Sequence, residues 1–584
     1  MNECWDLSPL YNGFDDPAFG RDMDALRETA AQWGTFAGEL KSLEPLEGLR
    51  RGTALMESMT ALVDKLAAYP SLRQATNTRD NEAGSQMGRI RAILSSAAAA
   101  QASFKDWAGK LPNLMQLVKA DAELKDYAFF YQDIAESCGY LLPGQGEEIM
   151  ARMSMSGSSA WGTMRGLVTS TAKVNYRGQT INLSAVRNLA KDPDAQVRKD
   201  AYEAELAAYD AIRDPVAHAL NAIKLETISE CKLRGYRSAL DYSLERAHVS
   251  RKTLEAMFAA MDDHLPKFWQ YLKAKAKLLG HQGALPWYDL FAPVGSSNTR
   301  FTTEEARDFL LKVFSGFDSQ MADMMATAFD QAWIDFYPRD GKRDGAFCSS
   351  VRTMGRSWIL TNFGGSFDAV STLAHELGHA FHNQCIRDHR VLNKRYSMPV
   401  AETASTFNEC VAFSHAIAAA ADREEKLALM DAQLTGETQI ICDIYSRFRF
   451  EDAIFAKREE KFLNADTLCE LMLDAQKQCY GDGLDHGCLH PYMWICKPHY
   501  YSSTYYNYPY AFGGLFARGL YAQYAAEGAA FVPKYKKLLY TTTVASAEDA
   551  ARVAGIDLTD RAFWDSALQS IGRDIDLFCA LAEE

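Results

Sequence analysis

The segment His375-Glu376-Leu377-Gly378-His379 constrains this chain more than any other. Residues four apart on an α-helix share a face, so a helical segment lets both imidazoles reach one ion with Glu376 close beside them. The flanking residues predict that helix. Ser366 and Asp368 follow Gly364-Gly365 as candidate caps. Val370, Leu373, Ala374, Leu377, Ala380 and Phe381 recur at spacings that form one buried face. Only twelve histidines occur in 584 residues, which makes a chance match rare. The plain alternative is a core helix carrying two structural histidines.

A catalytic zinc usually keeps three protein ligands and one open position. The extended pattern HExxHxxGxxH fails here, because His382 stands at its glycine position and Cys385 at its last histidine position. The remaining route is a glutamate on a following helix. Ser397–Glu409 offers one: Pro399 suits a first helical turn, and Glu402 and Glu409 are seven apart on one face. Glu402 is read as the third ligand and Glu409 as a hydrogen-bond partner of a ligating histidine. The alternative, a solvated acidic face, fits poorly with Ala401, Phe407 and Val411 around the pair. His382 shares the histidine stripe, but three ligands in line cannot surround a tetrahedral ion. It is read as packing or as support behind the ligands, and Asp368 is likewise placed behind them.

A tyrosine-rich segment runs from Pro498 to Gly514, with six tyrosines between Tyr500 and Tyr510. A phenol stays protonated at neutral pH and can donate to a developing oxyanion, as can a neighbouring histidine such as His499. Aromatic packing accounts for most of these rings. Only one or two can reach a reacting atom.

Most of the remaining chain reads as helix. Apolar residues at three- and four-residue spacing mark Asp22–Leu43, Gly52–Tyr69, Asp80–Leu111, Ala195–Arg213, Pro215–Arg234, Arg251–Leu279 and Thr303–Phe317. Ser250 and Thr302 are candidate N-caps. Lys173–Leu183 reads as a hairpin turning near Arg177-Gly178, and Gly345–Arg352 and Arg356–Phe363 as short strands. A weak boundary near Lys191–Asp194 divides the chain into a helical region, 1–194, and a catalytic region, 195–584.

With 48% hydrophobic and 24% charged residues, the chain can bury a large core and is not a disordered or collagen-like one. Seventy-six acidic residues against sixty-two basic ones, with no long Lys/Arg run, argue against nucleic acid as a partner. No secretory signal and no run of eighteen apolar residues is found, so no membrane partner and a cytoplasmic location are expected. The twelve cysteines then read as reduced thiols. Cys488 and Cys496, near His486 and His490, lack a C-x-x-C pairing and read as incidental thiols rather than a metal cluster.

Taken with their surroundings, these motifs resemble the oligoendopeptidase F branch of the thimet-oligopeptidase family of zinc metallopeptidases. The resemblance rests on GKRDGAFC at Gly341–Cys348, ILTNFGGSFDAVSTLAHELGHAFH at Ile359–His382, VAETASTFNE at Val400–Glu409 and PHYYSSTYYNYPYAFG at Pro498–Gly513. Weaker stretches extend it over most of the chain from about residue 170. It implies a mainly α, gluzincin-type fold: a large helical ellipsoid with a deep channel and a small sheet beside the HExxH helix. It also implies one Zn2+ per chain held by His375, His379 and Glu402, with Glu376 as general base. A transition-state role falls to His499 and to a tyrosine pair seven apart, for which Tyr501 and Tyr508 fit. The strand RSWILTNF would be an edge onto which an extended peptide adds, which makes Trp358, Ile359, Leu360, Gly364 and Gly365 candidate substrate contacts.

The expected activity is hydrolysis of short oligopeptides by a metal-activated water. The alternatives are a zinc carboxypeptidase on a similar helical fold and a non-catalytic peptide-binding protein. The sequence leaves the oligomeric state and the cleavage preference open.

Overall fold

Three long N-terminal helices form where the apolar spacing predicts them, at Pro17–Glu39, Pro45–Thr76 and Asn81–Gly109. Pro17 and Pro45 sit in first turns, where a missing N–H costs nothing. Asp16 and Asp80 cap the first and third by accepting from the amides of Ala18 and Ala83. Close packing needs small residues on the second helix: a Cβ on Gly52 would stand 2.2 Å from the Phe104 ring. The computed structural model describes residues 2–142, 145–297 and 299–584. Most of that chain is α-helix.

Further along, the expected caps close their helices. Ser250 accepts from the amide of Thr253 at the head of Arg251–Leu278. Thr302 and Glu305 form a reciprocal capping box before Thr303–Ser315. Helix Arg213–Arg234 ends at Gly235, whose φ of +86° lets the next amide reach back to Cys231. The C-terminal helix Arg561–Glu583 packs along Arg251–Leu278. Among the described residues no helix is long and apolar enough to cross a membrane.

Among the described residues there are two sheets. Strands β1 (Val174–Tyr176) and β2 (Gln179–Ile181) form the expected hairpin, with Arg177 and Gly178 both at positive φ in its two-residue turn. Strands β3 (Ile334–Asp335), β4 (Phe347–Val351) and β5 (Arg356–Leu360) form a sheet in the order β3-β5-β4. The sequence reading missed β3, which at two residues carries no periodic signal. β5 runs parallel to β3 and antiparallel to β4. It is therefore the central strand, contrary to the expectation that RSWILTNF forms an edge.

The reason lies in the alternation of its side chains. Buried apolar residues fall into two cores. One joins the N-terminal helices to Val351, Trp358 and Leu360. The other gathers residues between Val174 and Phe578, Ile359 among them. Successive residues of a strand point to opposite faces. Trp358 and Leu360 thus enter the first core and Ile359 the second, each fully buried. The indole N–H of Trp358 also donates to the Asp6 carbonyl at 2.8 Å. Trp358, Ile359 and Leu360 are consequently structural residues of the seam between the cores, not substrate contacts.

Truncating a buried aromatic side chain typically costs about 3–5 kcal/mol. Trp358→Ala is therefore expected to lower the unfolding free energy of the N-terminal helical core by an amount in that range, read as a lower denaturant midpoint by circular dichroism. A midpoint within error of wild type would contradict the seam.

Candidate active site

The motif lies on the helix Phe367–Cys385. Ser366 caps it, accepting from the Ala369 amide at 3.3 Å. Asp368 lies exposed in the first turn. There its charge favours the helix N-terminus, and it does not stand behind the ligands as expected. Val370, Leu373, Ala374, Leu377, Ala380 and Phe381 are buried as the spacing requires.

The second half of the site comes from a short helix, Met398–Ala401, and the helix Thr403–Ala419. Glu402 is the residue between them, at φ −90° and ψ 5°. The chain was expected to run as one helix through this point, and it is interrupted at the glutamate. The two halves cross at Gly378, where an added Cβ would lie 2.5 Å from the Ala404 carbonyl oxygen and 2.6 Å from the Ser405 Cα. The Asn408 amide nitrogen donates to the Ala374 carbonyl at 3.1 Å, which fastens the same crossing.

That approach brings three ligand groups together. The Nε2 atoms of His375 and His379 lie 3.3 and 3.4 Å from Glu402 Oε2. All three ligand atoms fall within 4.8 Å of one another. With metal–ligand bonds of about 2.0–2.1 Å, a tetrahedral edge is about 3.3 Å, so the donor set fits a zinc ion. Among the described residues no other group of His, Cys, Asp and Glu has this arrangement. Glu409 Oε1 stands 2.8 Å from His375 Nδ1, as expected of a residue that orients a ligating imidazole. Glu402 Oε2 also accepts from the Ser405 hydroxyl at 2.7 Å.

The charges follow this geometry. Burial works against the Glu402 carboxylate, but its bond to His375 and the nearby His379 outweigh burial and bring it down to about 2. Burial also works against the His375 imidazolium, and the bonds to Glu402 and Glu409 more than compensate, raising it. Burial and the charge on His375 take His379 down to about 4. Glu376 is 5% exposed, and its Oε2 has no hydrogen-bond partner. Burial pushes its carboxyl up to about 7, against the pull of His375. A buried carboxyl oxygen left unpaired next to three convergent ligands is poised for proton transfer.

His382 belongs to the packing. Its ring stacks on Tyr396 at 4.3 Å, and Nε2 meets the Thr542 hydroxyl at 2.8 Å. Gly364 and Gly365 form the turn from β5 into the motif helix. The φ of +76° at Gly365, and the Phe301 amide bonded to its carbonyl at 2.8 Å, account for that position by turn geometry.

The tyrosine expectation needs correction. Tyr501 donates to the Trp494 carbonyl at 2.9 Å, with Arg165 over its ring. Tyr508 is fully buried and donates to the Ser243 carbonyl at 3.3 Å. Neither hydroxyl is available to a substrate. The two tyrosines of the implied pair stand on different helices: His499–Ser502 ends and a new helix begins at Tyr508. In between, Tyr505 adopts φ +50°.

This break brings Tyr506 and Tyr510 to His499 instead. The His499 ring stacks on Tyr506 at 5.0 Å and lies 6.0 Å from Tyr510. Tyr510 also feels the charge on Glu402. One helical turn beyond it, a Cβ on Gly513 would lie 3.3 Å from the Glu402 Cβ. The Tyr506 hydroxyl reaches the sulfur of Met398 at the head of the Glu402 segment, 3.8 Å away. Burial, with Arg447 and Lys497 nearby, lowers the His499 imidazolium, so the ring is neutral at pH 7. The usable sequence signal was the spacing Tyr510, Gly513-Gly514, which marks the face of the new helix turned to Glu402.

The left-handed turn is held from behind. Glu451 accepts from the Tyr505 amide at 3.1 Å and the Asn507 side chain at 2.8 Å. It pairs with Lys224 at 2.6 Å, and both side chains are 1% exposed.

The family model for Peptidase family M3 matches residues 188–570, and that for Oligopeptidase F matches residues 112–173. A Bacillus subtilis protein named Oligopeptidase PepF is 24% identical over 570 residues, 95% of this chain and 84% of its own length. The Streptococcus agalactiae protein Group B oligopeptidase PepB is 24% identical over 587 residues, 97% of this chain and 94% of its own. In fold, the chain is similar to the crystal structure of oligoendopeptidase-F from Enterococcus faecium. The TM-score is 0.73 at 18% identity, over 97% of this chain and 99% of that one.

Loss of a partner that orients a metal-ligating histidine typically costs 10–100-fold in metal affinity. Glu409→Gln, which keeps the shape and removes the charge, is expected to lose zinc to a competing chelator at about 10–100-fold lower chelator concentration. Equal retention by both proteins would remove Glu409 from this role.

Proposed function

The chain belongs to peptidase family M3, and from that premise we propose that this metalloendopeptidase hydrolyses short oligopeptides with one zinc ion held by His375, His379 and Glu402. The observation that carries the reading is the convergence of those three ligand atoms beside the unpaired Oε2 of Glu376. A zinc ion there supplies Lewis acidity, which acidifies a water and polarises the scissile carbonyl. Glu376 Oε2 accepts a proton from the attacking water and returns it to the leaving amine nitrogen. A carboxyl near neutrality can do both. Tyr506, Tyr510 and neutral His499 donate to the oxyanion as it forms, in a partly buried pocket where such bonds count for more than in water.

The peptide is assigned to the edge strand β4 rather than to β5. Phe347–Ser350 are partly exposed, and β4 is paired on one side by β5. Adding a strand there satisfies backbone groups of substrate and enzyme together. The Cys348 amide, on this strand, lies beside the Glu376 carboxyl. In this reading residues 1–194 and 195–584 are the two walls of one substrate channel, and the enzyme acts in the cytoplasm.

Two experiments test the assignment. Glu376→Gln is expected to retain zinc by metal analysis and to lose turnover of a blocked oligopeptide by several orders of magnitude. Wild-type-like turnover would sink the scheme, and cleavage confined to free C-termini would mark a carboxypeptidase instead. Removing one oxyanion donor typically costs about 10²–10³ in kcat. Tyr510→Phe should fall in that range, whereas Tyr501→Phe should stay within a few-fold of wild type. A reversed order of the two would restore the spacing-of-seven pair.

A further inference from the structure

Another cavity, of about 500 Å³, is lined by none of the site residues named above and is used by no step above. It is walled by the helices Leu183–Asn188 and Ala195–Asp210, by Trp287, Phe291 and Met493, and by Lys497, two residues before His499. Its lining sets cationic and amide donors around the Glu205 carboxylate, and two of the donors, on His490 and Gln439, lack a hydrogen bond.

His490 is 1% exposed; its Nε2 stands 3.7 Å from Glu205 Oε1, and neither ring nitrogen has a hydrogen-bond partner. The amide nitrogen of Gln439 is buried and also without one. Gln439 opens a π-helical turn, Gln439–Asp443, a distortion found often at functional sites. The Lys497 ammonium stands 3.9 Å from Asp443, and the Arg187 Nε 3.4 Å from Glu205. Both are near a carboxylate, and neither is hydrogen-bonded to it. Arg198, by contrast, is fully used by Asp289 and two backbone carbonyls. Three cations, Arg187, Arg447 and Lys497, thus face two carboxylates, Glu205 and Asp443. A buried donor with no acceptor is costly, and the unpaired Gln439 amide and His490 ring, beside one more cation than carboxylate, leave room for a further acceptor.

We propose that this cavity is a subsite for a carboxylate of the bound oligopeptide, held by Lys497, Arg187, Gln439 and His490, with the adjoining apolar group against Trp287 and Phe291. The proposal rests on the peptidase reading, because that reading puts a peptide chain past His499. A carboxylate can accept bonds from several of these donors at once, and charge-assisted bonds are the strong ones. Two sources share this chemistry, the C-terminal carboxylate and an acidic side chain. The volume lies within the ordinary range for small-ligand sites and suits a single residue with its carboxylate.

The test uses one hexapeptide sequence in three forms: free acid, C-terminal amide, and amide with an internal Gln replaced by Glu. Binding to the Glu376→Gln protein is measured by calorimetry, and kcat/KM is measured with wild-type enzyme. The free acid or the Glu form is expected to bind at least tenfold more tightly than the plain amide, and whichever gains identifies the source. Lys497→Gln should bring the affinity ratio of the gaining form to the plain amide close to one. Equal binding of all three forms, or a uniform loss of all three in Lys497→Gln, overturns the subsite. A carboxylate gain without any cleavage supports the subsite and removes the peptidase reading. Cleavage with no dependence on the carboxylate does the reverse. If no form binds or is cut, both fall.

Discussion

The proposed metal-ligand set depends on one close helix crossing. His375 and His379 lie on one helix and Glu402 at the head of another, and their ligand atoms meet because the helices touch at Gly378. A side chain there would have to overlap the Ala404–Ser405 backbone. The glycine inside HELGH is thus as much a condition of the site as the histidines. It trades helix propensity for an approach that no larger residue permits. The Asn408 bond to the Ala374 carbonyl and the Glu409 bond to His375 fix the same two helices one turn away from that contact.

The aromatic face proposed for the oxyanion is built by a different device. His499, Tyr506 and Tyr510 are not on one helix, and they converge because the chain breaks between two helices at a left-handed Tyr505. A non-glycine residue at positive φ is held only where its surroundings require it. Here Glu451 takes the Tyr505 amide and the Asn507 side chain, and Lys224 neutralises Glu451 from a third helix. Removing one member of a buried pair of this kind leaves an uncompensated charge, so the pair acts as a fixed support for the aromatic face.

The parts of this organisation that were legible in the sequence are those written in local periodicity. The long helices, their caps, the Arg177-Gly178 hairpin and the His-Glu-His face all repeat on the scale of one or two helical turns. The Glu402 and Glu409 spacing was also readable, although the chain is interrupted at Glu402. What escaped depends on contacts far apart in the chain. Tyr501 and Tyr508 fit a spacing count because a count cannot see the break at Tyr505, which is enforced by residues near 224 and 451. The two-residue β3 leaves no pattern, yet its pairing turns β5 from an edge into a central strand. Trp358 and Leu360 look like one apolar run with Ile359, and only the tertiary structure separates them into two cores.

That separation gives β5 a role in fidelity of assembly. Sliding a strand by one residue exchanges its faces. In most strands such a slip exposes apolar side chains on one side only. In β5 a slip would send the indole of Trp358 toward the space shaped for Ile359 and leave the N-terminal core short of a large ring. Both cores would reject the mispaired form at once. The strand therefore works as a keyed joint: the N-terminal helices and the body carrying the ligands can close on each other in a single alignment, which fixes the wall of the site before any metal or peptide arrives.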